Sequence, residues 1–380
     1  MIHPFKELRK LFPTLTNTIH LSSCSQSAIS LTVKDAIDSY LQSWTEKGMD
    51  WEGWMKEVQN AKNEFARLIN ADSDEIAVLS SVSDAASSFA SALTFSTGRN
   101  KVVTTDIDFP CVGHVWLSHE RRNAKVTFLP PEEDSTIQFQ SYERAIDSNT
   151  VVTSIPHVSY YNGFKQDLKQ LSYLAHSKGS YLFVDAYQSA GSVVIDVKDS
   201  DVDALVAGAQ KFLLGIPGIA FMYIKRELAN SLQSLTTGWF SRQNPFAFTN
   251  QILDYANGTR RFDTGTPPMI NAFAARAGIS LLNNIGVESI ESYLKHLSSI
   301  CIEAAQKHQL EIASPLDLDQ KGSNTALRIK SASKLEAYLK SQGIIVAARN
   351  DVLRIAPHFY NTEDEVIKAV EAIAHALITK

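Results

Sequence analysis

The sequence predicts an α/β protein: a large domain built on a mostly parallel β-sheet, followed by a smaller C-terminal α+β unit. Three observations carry this. Short apolar runs of strand length alternate with stretches of helical spacing from about residue 75 to 225, the pattern of a sheet wound with right-handed crossovers. Polar or aromatic residues stand at or just after the ends of those runs, at Ser83, Phe109, His157, Asp185 and Lys211. In such a sheet the ligand sits beyond the carboxyl ends of the strands. After Ile224 the alternation gives way to a loop-rich stretch and then to a compact closing set of strands and helices. A chain of 380 residues exceeds one ordinary domain. The expected division is an arm over 1–17, a large domain over 18–265 and a small domain over 266–380, with the arm packing near the small domain.

Composition narrows the function classes. Asp and Glu number 41 against 36 Lys and Arg, giving a net charge of −5 without a polybasic run. Nucleic acid and anionic membrane surfaces are therefore poor partners. Cys24, Cys111 and Cys301 are scattered and form no CxxC pair, which argues against a disulfide scaffold and a zinc site; no metal is expected, and a reducing compartment is. MIHPFKELRKLF lacks the unbroken apolar core of a signal peptide, so the expected location is cytoplasmic. The apolar stretch over 204–224 is broken by Gly208, Gly215, Pro217 and Gly218 and carries Lys211. It reads as two short strands around a loop rather than a membrane span.

Taken in order, TIHLSSCSQSAIS gives a short strand and a Ser-rich loop; residues 22–26, Ser23 and Cys24 among them, are candidates for lining a site. Helical spacing follows over 31–44 and over 51–69. EIAVLSSVSDAASSFASAL then gives a strand, a serine cluster and a helix. The N–H groups and dipole at that helix start favour an anion, with Ser81 and Ser83 adding hydroxyls, although an ordinary Ser N-cap explains the same residues. No GxGxxG or Walker pattern is present, so a nucleotide is not implied. Lys101–Thr105 reads as a strand, with Phe109 and Pro110 on the next loop; Phe109 either fills core or covers a flat ligand. TVVTSIPHVSYYNG is a strand ending in polar residues at His157, Ser159 and Tyr160. A helix over 168–178, closed by Gly179, leads back to the strand YLFVDA, which breaks at Asp185. ALVAGAQKF breaks likewise at Lys211.

An acid and an amine at the ends of buried strands are costly to desolvate, so pairing or chemistry is the reason to keep them. Beyond 224, Arg260, Arg261, Thr264 and Thr266 stand near a double proline, and helices are expected over 270–284 and 287–308. The tail gives the strand TALRIK, a helix over 334–342 stopped by Gly343, the strands IIVAA and VLRIA, and a helix opened by a Thr362–Glu365 capping box. Arg354, inside VLRIA, faces either a carboxylate or solvent.

A lysine, a carboxylate, a flat aromatic, a phosphate-ready helix end and an arginine are the parts that hold pyridoxal 5'-phosphate. Lys211 would form the Schiff base, Asp185 would keep the ring nitrogen protonated, and Arg354 would clamp the substrate carboxylate. The segments FVDAYQSAG, VDALVAGAQKFLLGIPGIAFMYI, RRFDTGTPP and LRIAPHFYNTEDEV resemble the class V aminotransferase family of fold type I pyridoxal phosphate enzymes. That group includes cysteine desulfurases, kynureninases and small-substrate aminotransferases. The resemblance runs from about residue 18 to the C-terminus. It implies a large domain with a mostly parallel seven-stranded sheet, and a homodimer with active sites at the subunit interface.

Position by position, the resemblance implies that Ser81, Val82 and Ser83 line the phosphate, that Phe109 stacks on the ring and that His157 and Tyr160 lie beside the cofactor. It makes Asp185 the partner of the ring nitrogen and Gln188 a contact to the ring hydroxyl. Thr266 would reach the partner subunit's phosphate, and Arg354 would be the carboxylate clamp. The chain also departs from the family. Gln210 stands before the lysine where desulfurases have His and kynureninases Tyr, and is similar to small-substrate aminotransferases in which Gln contacts phosphate. Gly208 replaces a phosphate-binding Ser, Tyr160 replaces the common Asn, and no cysteine lies in QGIIVAARNDVLRIAP. The leading expectation is amino-group transfer between an amino acid and a keto acid, with Lys211 as general base. The alternatives are a kynureninase-like or desulfurase-like C–C or C–S lyase, with Cys24 or Cys111 taking part, and a catalytically silent cofactor-binding regulator.

Overall fold

A computed structural model describes residues 4–378. Its strands are β1 (Ile19–His20), β2 (Ile76–Leu79), β3 (Lys101–Thr105), β4 (Lys125–Leu129), β5 (Thr150–Pro156), β6 (Tyr181–Asp185), β7 (Ala204–Gly208), β8 (Ala220–Ile224), β9 (Thr325–Arg328), β10 (Ile344–Ile345), β11 (Ala347–Arg349) and β12 (Val352–Ile355). Seven of them form the central sheet in the order β2-β8-β7-β6-β5-β3-β4. Only β8 runs against the others.

The continuous apolar runs read from the sequence are strands covered on both faces. In β6, Leu182 and Val184 join one core while Phe183 faces the other; in β7, Leu205 and Ala207 alternate in the same way with Ala204 and Val206. On one face Phe183 meets Phe89 of the helix Val82–Ala92 in a stack with centroids 5.2 Å apart, and Trp116 of the helix Pro110–Ser118 edge-on. On the other, Phe65 of the helix Trp51–Leu68 stacks on Phe221 at 4.6 Å. Burying each such side chain contributes on the order of 1.5–3 kcal/mol, so the two helical layers fix the sheet beneath them.

The small unit is a three-stranded antiparallel sheet, β11-β12-β9, backed by the helices Val287–Lys307 and Glu363–Ile378. Two details differ from the sequence reading. IIVAA is not one strand: Ile344–Ile345 pairs in parallel with β1, and after Val346 the chain moves to β12. Position 19–20, expected in the large domain, therefore pairs with the small unit, while the helix Met269–Ile285, expected in the small domain, packs on the helices Leu31–Lys47 and Trp51–Leu68. The stretch over 204–224 is two antiparallel strands around a loop. Among the described residues no helix is long and apolar enough to cross a membrane.

Candidate active site

Lys211 sits on the loop between β7 and β8, directly beyond the end of the sheet. Its Nζ lies over the ring faces of Tyr187, 3.9 Å from the centroid, and of Phe109, 5.7 Å away. Burial lowers its pKa to about 8, against the opposing pull of Asp185; Arg354 is near enough to lower it further. An amine in that range is a workable base and nucleophile near neutral pH.

Asp185 ends β6 and is buried. Its Oδ1 accepts the Tyr187 N–H at 2.8 Å, and its carbonyl accepts the His157 N–H at 2.9 Å. Burial raises its pKa, while that N–H and Lys211 act in the other direction. Beside it lies an acid that sequence reasoning passed over. Asp108 is buried, its Oδ1 accepts the Phe109 N–H, and its Oδ2 has no partner. Burial, and then the charge of Asp185, hold Asp108 well above the usual carboxylate range. Its signal was adjacency alone: it directly precedes Phe109.

Arg354 lies in β12 and is 1% exposed. Neutral oxygens hold its guanidinium: Tyr160 O at 2.8 Å, Ser25 Oγ at 3.0 Å and Ala347 O at 3.3 Å. It is near enough to Lys211 to act on its charge, and among the described residues its hydrogen bonds go to neutral oxygens, with Glu336 acting on it only at longer range. Tyr160 meets Phe109 edge-on with centroids 5.2 Å apart, closing the same side.

The Ser-rich loop comes to this place through the glutamines. Gln188 Nε2 donates to Cys24 O at 2.9 Å, leaving its Oε1 buried without a partner, and Gln210 Nε2 donates to Ser25 O at 3.4 Å. Cys24 packs with Phe212, Ala347 and Ala356, close to both Lys211 and Arg354. Ser23 is fully buried and bonded to the Tyr360 hydroxyl, so its side chain faces the core rather than a ligand. Ser81 is an ordinary N-cap: its Oγ accepts the Asp84 N–H and donates to Asp84 Oδ2. Ser83 is exposed at the same helix start and contacts Cys111, and the first N–H groups of that helix, Val82 among them, have no intrahelical acceptor.

Three residues behave otherwise. His157 lines a cavity with Phe164, Gln166 and Val194 whose lining includes neither Lys211 nor Asp185; its Nδ1 is buried without a partner, and burial pulls its pKa down to about 3. Thr266 is exposed on the loop before Met269–Ile285. Cys111 is half-buried beside Ser83, Asp185 and Lys211, and burial pushes its thiol up to about 11, so it is not a thiolate at neutral pH. Among the described residues no group of three His, Cys, Asp or Glu is placed to hold a metal ion.

Residues 19–369 match the family described as Aminotransferase class-V. The chain belongs to that family. It is 43% identical over 380 residues, the whole of both chains, to "Uncharacterized aminotransferase YcbU" of Bacillus subtilis (strain 168). It is 26% identical to a kynureninase of Deinococcus radiodurans, over 89% of this chain and 82% of that one. Its fold superimposes on an apo cysteine desulfurase from Thermococcus onnurineus NA1 with a TM-score of 0.89 at 21% identity, covering 100% of this chain and 99% of the other. The protein is a pyridoxal 5'-phosphate-dependent enzyme of fold type I. The site fits that cofactor: it presents a half-buried lysine, a carboxylate, aromatic faces and two buried oxygens without partners, Asp108 Oδ2 and Gln188 Oε1.

Proposed function

We propose that the protein transfers an amino group between an amino acid and a keto acid. The observation that carries this is Arg354, a buried guanidinium beside the Lys211 amine whose own partners are all neutral. A buried cation of that kind asks for an external anion, and an amino acid brings its carboxylate. When bound, pyridoxal phosphate supplies an electron-accepting ring. Asp185 would hold the ring nitrogen, Lys211 would hold the aldehyde carbon in the resting site and, once the substrate amine has displaced it, would carry the proton at the substrate Cα, and Arg354 would fix the carboxylate. Ser81, Val82 and Ser83 receive the phosphate at the helix start, and Gln188, Gln210 and Tyr160 border the ring.

A kynureninase-like lyase is the second reading, favoured by the aromatic pair Phe109 and Tyr160 on the clamp side. Desulfurase chemistry has less support: 347–355 folds as a tight hairpin turning at Asn350, φ +49°, and contains no cysteine. Incubation with single amino acids separates these readings. Transfer releases one equivalent of keto acid per site and turns over only when a second keto acid is added. Continuous release of alanine, anthranilate or sulfide without an acceptor overturns it.

We further infer a homodimer in which Thr266 reaches the partner's phosphate site. Exposed Trp44, Met49, Phe246 and Phe248 support an apolar contact surface. Sedimentation of the holoenzyme as a monomer would refute it. The three unbonded cysteines support a cytoplasmic location.

A further inference from the structure

Lys211 faces two aromatic rings, and only Phe109 was legible as a ring-stacking residue. Tyr187 is the nearer of the two, with Nζ 3.9 Å from its centroid against 5.7 Å for Phe109. Its backbone is fixed by the bond from its N–H to Asp185 Oδ1, so the ring is tied to the acid that faces the cofactor nitrogen. Its hydroxyl makes no hydrogen bond among the described residues, although the ring packs against the core formed by the helix Val82–Ala92 and the sheet. The space it fills belongs to position 208. A Cβ built on Gly208 would stand 2.2 Å from Tyr187 Cζ and 2.4 Å from its hydroxyl. Gly208 has an ordinary backbone conformation there, so the missing side chain answers a packing demand rather than a torsional one.

We propose that Tyr187 is a cofactor-binding residue, the second aromatic wall of the slot that Phe109 begins, and that Gly208 is bare in order to seat it. The inference rests on the pyridoxal phosphate assignment. A flat ring bonded to Nζ must lie within a few ångströms of that atom, where Tyr187 already presents its face at contact height. The exposed Phe109 ring covers the side toward Tyr160 and Arg354, where substrate enters; Tyr187 lies on the closed side, against the protein. Stacking on such a face adds to affinity without a charge and without ordering a flexible side chain.

The test is cofactor affinity of the apoprotein, measured by absorbance titration with pyridoxal phosphate. Tyr187→Phe keeps the face and is expected to bind within about twofold of the parent, while Tyr187→Ala loses about tenfold. Gly208→Ala supplies an independent arm. In the parent its Cβ displaces the Tyr187 ring and affinity falls about tenfold or more; in the Tyr187→Ala background the same change costs nothing further. Thermal melts of each apoprotein exclude simple unfolding. Tyr187→Ala binding as tightly as the parent, or Gly208→Ala costing the same in both backgrounds, overturns the inference. If the parent itself takes up no cofactor, it is the cofactor assignment that fails.

Discussion

Replacing Arg354 with alanine tests the substrate reading most directly, because the structure separates what the residue does for the fold from what it offers a ligand. Its Nε and one Nη1 hydrogen tie the small sheet and the Tyr160 turn together through Ala347 O and Tyr160 O, and Nη2 reaches Ser25. A planar guanidinium has five N–H donors, so two remain for a carboxylate. In a pocket where the arginine is 1% exposed, losing one partner of such a pair costs about 3 kcal/mol, roughly a hundredfold in affinity. The expected result for Arg354→Ala is therefore a rise of about a hundredfold in KM for amino acids, with a smaller fall in kcat. The lost ties also predict a lower Tm, so the decisive comparison is internal. For each protein, affinity for an amino acid is divided by affinity for the matching amine without a carboxylate. The variant should lose the parent's preference. A preserved ratio, whatever happens to Tm, would refute the clamp.

Four further outcomes follow from the same electrostatics. Lys211→Ala should lose the long-wavelength absorbance of lysine-bound cofactor while keeping its fold, and retention of that band would move the bond elsewhere. Because the Lys211 pKa falls to about 8, about a tenth of the amine is free at pH 7, against roughly 3 in 10,000 for an ordinary lysine. Stopped-flow uptake of cofactor by apoprotein should then rise with pH to a midpoint about 8, and a midpoint near 10 would contradict the burial. The same shift costs the apoprotein stability below about pH 8, and that cost should be relieved as pH rises from about 8 to 10.5, seen as a rising Tm. Asp108→Asn, which mimics the protonated acid, should leave cofactor affinity within about threefold, whereas Asp185→Asn should lower kcat/KM about a hundredfold. Equal effects of the two would mean that Asp108 carries charge.

What the sequence revealed of the site is what lies on one strand end. YLFVD and ALVAG are buried strands, so the polar residues that close or follow them had to come at or beyond the sheet edge, as Asp185, Gln210 and Lys211 do. Contacts made by distant segments were not legible. Nothing local tells that Gln188 and Gln210 reach back to residues 24 and 25, or that Ile344–Ile345 leaves the sheet of its neighbours to pair with β1. His157 follows the end of β5 at the expected edge, yet it also lines a cavity that does not include Lys211 or Asp185.

The arrangement of charge explains why the missed acid belongs with the predicted one. Two neighbouring buried carboxylates disfavour each other's charge, and the structure supports the two charges unequally. Asp185 is held toward the ionised form by the Tyr187 N–H and by Lys211, whereas Asp108 is stabilised only by the Phe109 N–H and lies farther up the scale. The ionised form is therefore better supported at Asp185 than at Asp108. The residues tied to these acids by backbone, Phe109 next to Asp108 and Tyr187 two beyond Asp185, are the same two that turn their rings to Lys211. Placing each acid thus places an aromatic face, which is why acid and aromatic come in pairs at the ends of neighbouring loops.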